Sequence, residues 1–175
     1  MVVESRKIHT EDLNKLFHLL ERLVQLHQGL IELILQEKHE MSDLNMQGML
    51  ECAQSKENLI TEIFNHENLR LQVLTEICGS LNINSETTLL GLSSYTDEES
   101  FKKLKNIRTT LNLLMEKAKD LNQQNMAFAN ESMERIDEMK KNILGLGNNT
   151  KENYSQGGMR TPMPEQGGRF LTTEA

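Results

Sequence analysis

Residues 10–41, TEDLNKLFHLLERLVQLHQGLIELILQEKHEM, decide the fold. Leu13, Leu20, His27, Ile34 and Met41 recur every seven residues; Leu16, Leu23 and Leu30 form a second row, and Phe17, Val24 and Ile31 a third. Rows three and four residues apart fall on one side of a helix, and three of them together make a stripe wider than a two-stranded coiled-coil seam. A helix with so broad an apolar face needs at least two neighbours, or one helix and a client. Thr10 is placed to cap its start, with Glu11 and Asp12 in the electropositive first turn.

Working outward, residues 40–45 read as a tight reversal, with Ser42 and Asp43 set to cap a second helix; no Pro separates the two segments, and one bent helix through Met41 is the alternative. Its apolar positions are Leu44, Met49/Leu50, Ala53, Leu59/Ile60, Ile63/Phe64, Leu71, Leu74 and Ile77/Cys78, and Cys78-Gly79-Ser80 reads as its stop. Residues 80–95 lose the period but keep several leucines that need covering. Thr96 and Glu99 then have capping-box spacing and open a third helix that runs to about Leu144, before Gly145. Its stripe begins with Phe101, Leu104, Ile107, Leu111, Leu114/Met115 and Leu121. It continues, diluted with Asn and Ser, as Asn125, Phe128, Ser132, Ile136, Met139 and Ile143.

The expected fold is all-α: three long helices in an antiparallel coiled-coil-like bundle, the third the longest. Residues 1–144 form the bundle domain and 145–175 a disordered C-terminal tail. That tail holds six of the ten glycines and both prolines, a composition that cannot offset the entropy of ordering. Helix lengths add a geometric point. At 1.5 Å per residue the third helix outruns the first two by about 20 Å, so an up-down-up bundle leaves its late part, residues 122–143, short of neighbours.

Composition excludes much. There are 26 acidic and 19 basic residues, a formal charge of -7, five Phe, two Tyr and no Trp. Net negative charge opposes binding to phosphate backbones, and so few aromatics argue against a sandwich or barrel. The most apolar stretch, Leu30 to Leu35, is broken by Glu32 and far too short for a membrane span. The first nine residues lack the apolar run of a secretory signal, which leads to the expectation of a cytoplasmic protein. Cys52 and Cys78 stand apart with no metal-ligand spacing and read as small helix-face residues.

No catalytic, cofactor or metal constellation emerges. The five histidines, at 9, 18, 27, 39 and 66, never pair at three or four residues. His27 lies on the apolar row and reads as a core or partner-facing side chain. No phosphate-binding glycine loop follows a strand, and no Ser/His/Asp arrangement rises above chance. The methionines, among them Met115, Met126, Met133 and Met139 in the third helix, either fill the bundle or form a surface that repacks around partners. The residues alone describe a helical adaptor or chaperone with its client surface late in the chain. A structural coiled-coil protein that assembles with itself, without a secreted client, is the alternative.

Particular segments add to this. Leu121-Asn122-Gln123-Gln124-Asn125 sets two asparagines three apart after a leucine on the last helix, and the patch Met126-Ala127-Phe128-Ala129 follows it. Tyr154-Ser155-Gln156-Gly157 lies in the tail. Leu30-Ile31-Glu32-Leu33-Ile34-Leu35-Gln36-Glu37 and Lys56-Glu57-Asn58-Leu59-Ile60 lie upstream. Over residues 10–158 the chain resembles the FlgN-like flagellar export chaperones, including their Tyr-x-x-Gly ending. It departs from them in the leucine-containing connector at 89–92 and in the extra run at 159–175. The resemblance implies a chaperone that binds hook–filament junction proteins, masks their terminal amphipathic helices and delivers them to export gate components, with no cofactor. It implies client binding by Leu121, Asn122, Asn125, Phe128, Ala129, Ile136, Met139 and Ile143, and export-gate docking by Tyr154. Nucleic acid and stable membrane insertion are not expected; homodimerisation is left open.

Overall fold

A computed structural model of the chain describes residues 7–84 and 89–144. Helix α1 spans Thr10–Ser42, α2 spans Met46–Leu81 and α3 spans Glu98–Ile143; a short 3-10 helix, Leu89–Tyr95, lies between α2 and α3. Among the described residues there is no strand. At 46 residues α3 is the longest, against 33 and 36 for the others. Tyr154 and the rest of the expected tail lie outside the described residues.

Cross-helix bonds fix the directions. Arg22 meets Glu62 at 2.6 Å and Glu37 meets Lys56 at 2.5 Å, so α2 runs antiparallel to α1. Lys103 pairs with Glu21 at 2.8 Å, and Asn125 reaches the Ile34 carbonyl, so α3 runs parallel to α1. The three rows read on α1 are buried or half-buried throughout, because α1 meets α2 on one side and α3 on the other. Leu16, Leu20 and Leu23 are fully buried and pack in the main core with Leu74, Ile77, Cys78, Leu81, Leu92 and Leu104. Each such leucine contributes about 1.5–3 kcal/mol. A second, smaller cluster joins Ile31 and Ile34 of α1 to Ala118 of α3, with Leu114 and Leu121 against it. Individual surface ion pairs add little to this.

Helix boundaries correct the sequence reading in four places. Thr10 is the first helical residue of α1, and the capping position falls on His9, whose side chain makes no cap bond. The chain is instead anchored just before it, where Ile8 is buried and donates its N–H to the Tyr95 carbonyl at 3.0 Å. Ser42 ends α1, its hydroxyl donating to the Lys38 carbonyl, and Asn45 caps α2 by accepting from Gly48 N–H at 3.1 Å. Leu44, at φ 55°, makes the reversal between them.

Helix α2 does not stop at Gly79. It runs on to bury Leu81, and Asn82 ends it in the left-handed conformation at φ 54°, returning its N–H to Gly79. Asp97 caps α3 in place of Thr96: its carboxylate accepts from the Ser100 N–H and hydroxyl, at 2.9 and 2.8 Å. Thr96 points back instead, to the Leu92 carbonyl. At the starts of α2 and α3 the expected cap lost to a short polar side chain one to three residues further on. The leucines of the connector are covered as expected where they are described: Leu92 is fully buried and Leu89 packs against the core.

By contact, the chain divides into two compact units, Met1–Asn125 and Met126–Ala175.

Candidate functional site

The buried face of α3 is a single heptad row, Leu104, Leu111, Ala118 and Asn125. Leu104 is fully buried in the main core, and Ala118 packs on Ile31 and Ile34. Side chains shrink along the row, and at Asn125 the apolar row ends in an amide.

Asn125 is 4% exposed. Its Nδ2 donates to the Ile34 carbonyl at 2.8 Å and to a Glu37 carboxylate oxygen at 3.0 Å. Both neighbours are acceptors, which requires the NH2 to face them. The other Glu37 oxygen takes Lys56 at 2.5 Å, so one carboxylate ties α1 to α2 and α3. The Asn125 Oδ1 is buried and has no hydrogen-bond partner among the described residues.

From Met126 on, no described residue of α3 is buried. Phe128, Ile136, Met139 and Ile143 are 37%, 48%, 62% and 74% exposed; Met126 and Met133 are also open, and Ala129 is half-buried. Their polar neighbours are satisfied locally, with Ser132 bonded to the Phe128 carbonyl and Arg135 paired with Glu131. The eight expected client residues therefore fall into two sets. Leu121 and Asn125 pack against α1 in the smaller core, while Asn122, Phe128, Ala129, Ile136, Met139 and Ile143 lie exposed or half-exposed along α3.

Other polar groups have structural partners. His27 is buried with Nδ1 2.8 Å from the Leu23 carbonyl, and Cys52 and Cys78 are buried free thiols. Burial, followed by the Glu40 and Glu37 carboxylates, pushes the Cys52 thiol up and keeps it protonated. Among the described residues no three His, Cys, Asp or Glu side chains form a metal-holding group, and no helix is long and apolar enough to cross a membrane. An open groove of about 530 Å³ lies between α1 and α2, floored by Leu19, Leu69 and Val73.

Two features escaped the sequence reading. Glu37 as a three-helix tie has no local signal, because its partners are 19 and 88 residues away. The apolar positions of α2 divide into a row facing α1 and a second, exposed row, which share one spacing and are told apart only by their neighbours.

Neither a curated protein nor a solved structure matches the chain. A family model described as FlgN protein matches residues 12–162, taking in all three helices and the stretch that contains Tyr154. That span is most of the chain: the chain belongs to the FlgN family of flagellar export chaperones.

Proposed function

We propose that the protein is a cytoplasmic chaperone that lays a terminal amphipathic helix of a hook–filament junction protein along α3 between Asn122 and Ile143, and carries it to the export gate. One observation carries this reading: apolar residues continue at helical spacing through Phe128, Ile136, Met139 and Ile143 after burial ends at Asn125. A helix with its own apolar stripe would cover them in the helix-in-groove mode, and the methionines at 126, 133 and 139 would let the surface repack around more than one client. Asn122, exposed beside them, offers an amide to such a helix, while Asn125 keeps α3 in register on α1. The chemistry asked of the protein is burial alone: it holds an aggregation-prone helix, and no bond is made or broken. In this reading residues 1–144 are the chaperone domain, and 145–175 are a tail that docks to the gate through Tyr154.

The test is substitution of Phe128 and Ile136 together by Asp. Both side chains are exposed, so helical content by circular dichroism stays as in the parent, while binding to a purified junction protein falls by about tenfold or more. Undiminished binding would remove α3 from the client surface, and unfolding would show that the two residues support the protein's own core.

A further inference from the structure

Along α2, positions 46, 50, 53, 57, 60, 64, 67, 71, 74, 78 and 81 alternate steps of four and three, the spacing of a coiled-coil seam. Its C-terminal end, Leu74, Cys78 and Leu81, is buried in the main core. The rest of the same seam is open: Met46, Leu50, Ile60, Phe64 and Leu71 are 74%, 62%, 54%, 64% and 49% exposed. Facing α1 is a different row, with Cys52 buried, Leu59 against Gly29 and Lys56 bonded to Glu37. Single exposed leucines are ordinary on a soluble protein; five large apolar side chains in one seam that is core at its other end are not.

We propose that the seam from Met46 to Leu71 docks a basic amphipathic helix of a partner protein. The charge pattern selects this occupant. Glu57 and Glu67 occupy seam positions between the apolar residues. Glu67 is held by Arg70 of its own helix at 2.8 Å, whereas the exposed Glu57 carboxylate has no ion pair among the described residues. A purely apolar helix laid here would desolvate Glu57 without compensation, which a Lys or Arg at the facing position prevents. A second copy is disfavoured on the same ground. Antiparallel pairing that sets Ile60 against Phe64 also sets Glu57 against Glu67 of the second copy, twice, and parallel pairing sets each carboxylate against its equal. Anionic lipid meets the same repulsion, and the chain's formal charge of -7 steers cations toward it. The open seam is about 38 Å long at 1.5 Å per residue, room for about seven helical turns. Its residues lie on α2 and include none of those assigned above to the client on α3.

The experiment titrates the full chain with two synthetic helical peptides of about 26 residues. They share one Leu/Ile seam and differ only in carrying Lys or Glu opposite Glu57 and Glu67; fluorescence anisotropy reads the binding. The Lys peptide is expected to bind at least about tenfold more tightly than the Glu peptide. Phe64→Asp abolishes that binding with circular dichroism unchanged, and the double change Glu57→Lys, Glu67→Lys inverts the preference. Ile136→Asp on α3 leaves both results as they were. Equal affinity for the two peptides, or none for either, overturns the proposal. So does a concentration-dependent dimer in light scattering that Phe64→Asp dissolves, which assigns the seam to a second copy. Binding to phosphatidylglycerol vesicles that is lost in the same variant assigns it to a membrane surface and overturns the proposal equally.

Discussion

The two halves of α3 have the same backbone and the same heptad, yet opposite surroundings. From Glu98 to Asn125 every seventh residue is buried, at Leu104, Leu111, Ala118 and Asn125; at the next two heptad positions, Ser132 and Met139, burial is lost. Spacing is therefore not what separates them. The first half meets α1, whose apolar rows supply Phe17, Leu20, Leu23, Ile31 and Ile34 as partners. The second half keeps apolar residues at helical spacing with nothing among the described residues to bury them. An apolar stripe states what a helix requires; only the neighbours decide whether the requirement is met within the chain or by another protein.

The largest expected effect breaks the symmetry between the halves directly. Leu104→Ala removes a fully buried side chain from the main core, and such changes cost about 2–5 kcal/mol with the cavity included. Ile136→Ala, on the same helix and at 48% exposure, should change stability by less than about 0.5 kcal/mol. Urea denaturation of the two variants measures both. A comparable loss in each would mean that the second half is also core.

Asn125 is where the halves meet, and it gives the next effect. Asn125→Asp replaces a donor with a carboxylate facing the Ile34 carbonyl and Glu37, all acceptors, within a buried site. It should cost about 1–3 kcal/mol at neutral pH. Asn125→Leu also forfeits the two bonds but brings in no charge and removes the unpartnered Oδ1, so it should cost less than the Asp variant, about 1 kcal/mol. A leucine variant as stable as the parent would show that the amide bonds do not hold α3 in register.

Much of this was legible in the sequence, for a definite reason. The rows on α1, and Leu104 and Leu111 on α3, belong to local patterns of large apolar residues, and burial followed them; Ala118, small and outside the stripe, gave no such signal. The helix ends were legible only to within one to three residues: α1 starts at Thr10 with no side-chain cap, while Asn45 and Asp97 supply the oxygens that accept first-turn N–H groups of α2 and α3. The exposed late stretch of α3 was legible as a stretch of helix but not residue by residue: Leu121 and Asn125 continue the same spacing and yet face α1. Nor does the sequence say that the exposed row of α2 would stay open, since its spacing equals that of the row beside it and the outcome depends on how far α3 covers α2.

The smallest effect concerns the start of the buried half. Hydrogen bonds from the Ser100 N–H and then its hydroxyl hold the Asp97 carboxyl below its ordinary value of 3.8. A carboxyl depressed in the folded state stabilises the protein in full above the unfolded value and stops doing so as pH falls through the folded one. The parent should therefore lose a small increment of Tm as pH falls below about 4 that Asp97→Asn, which keeps an acceptor oxygen but cannot titrate, does not lose. Glu11 is depressed as well, by its hydrogen bond to Lys15, and adds acid sensitivity of the same sign, but from α1. The difference between the parent and Asp97→Asn profiles isolates the cap of α3. Ile136→Asn, on the exposed half and far from either group, should run parallel to the parent throughout. Parallel profiles for Asp97→Asn as well would show that the charge of Asp97 adds nothing to the cap of α3.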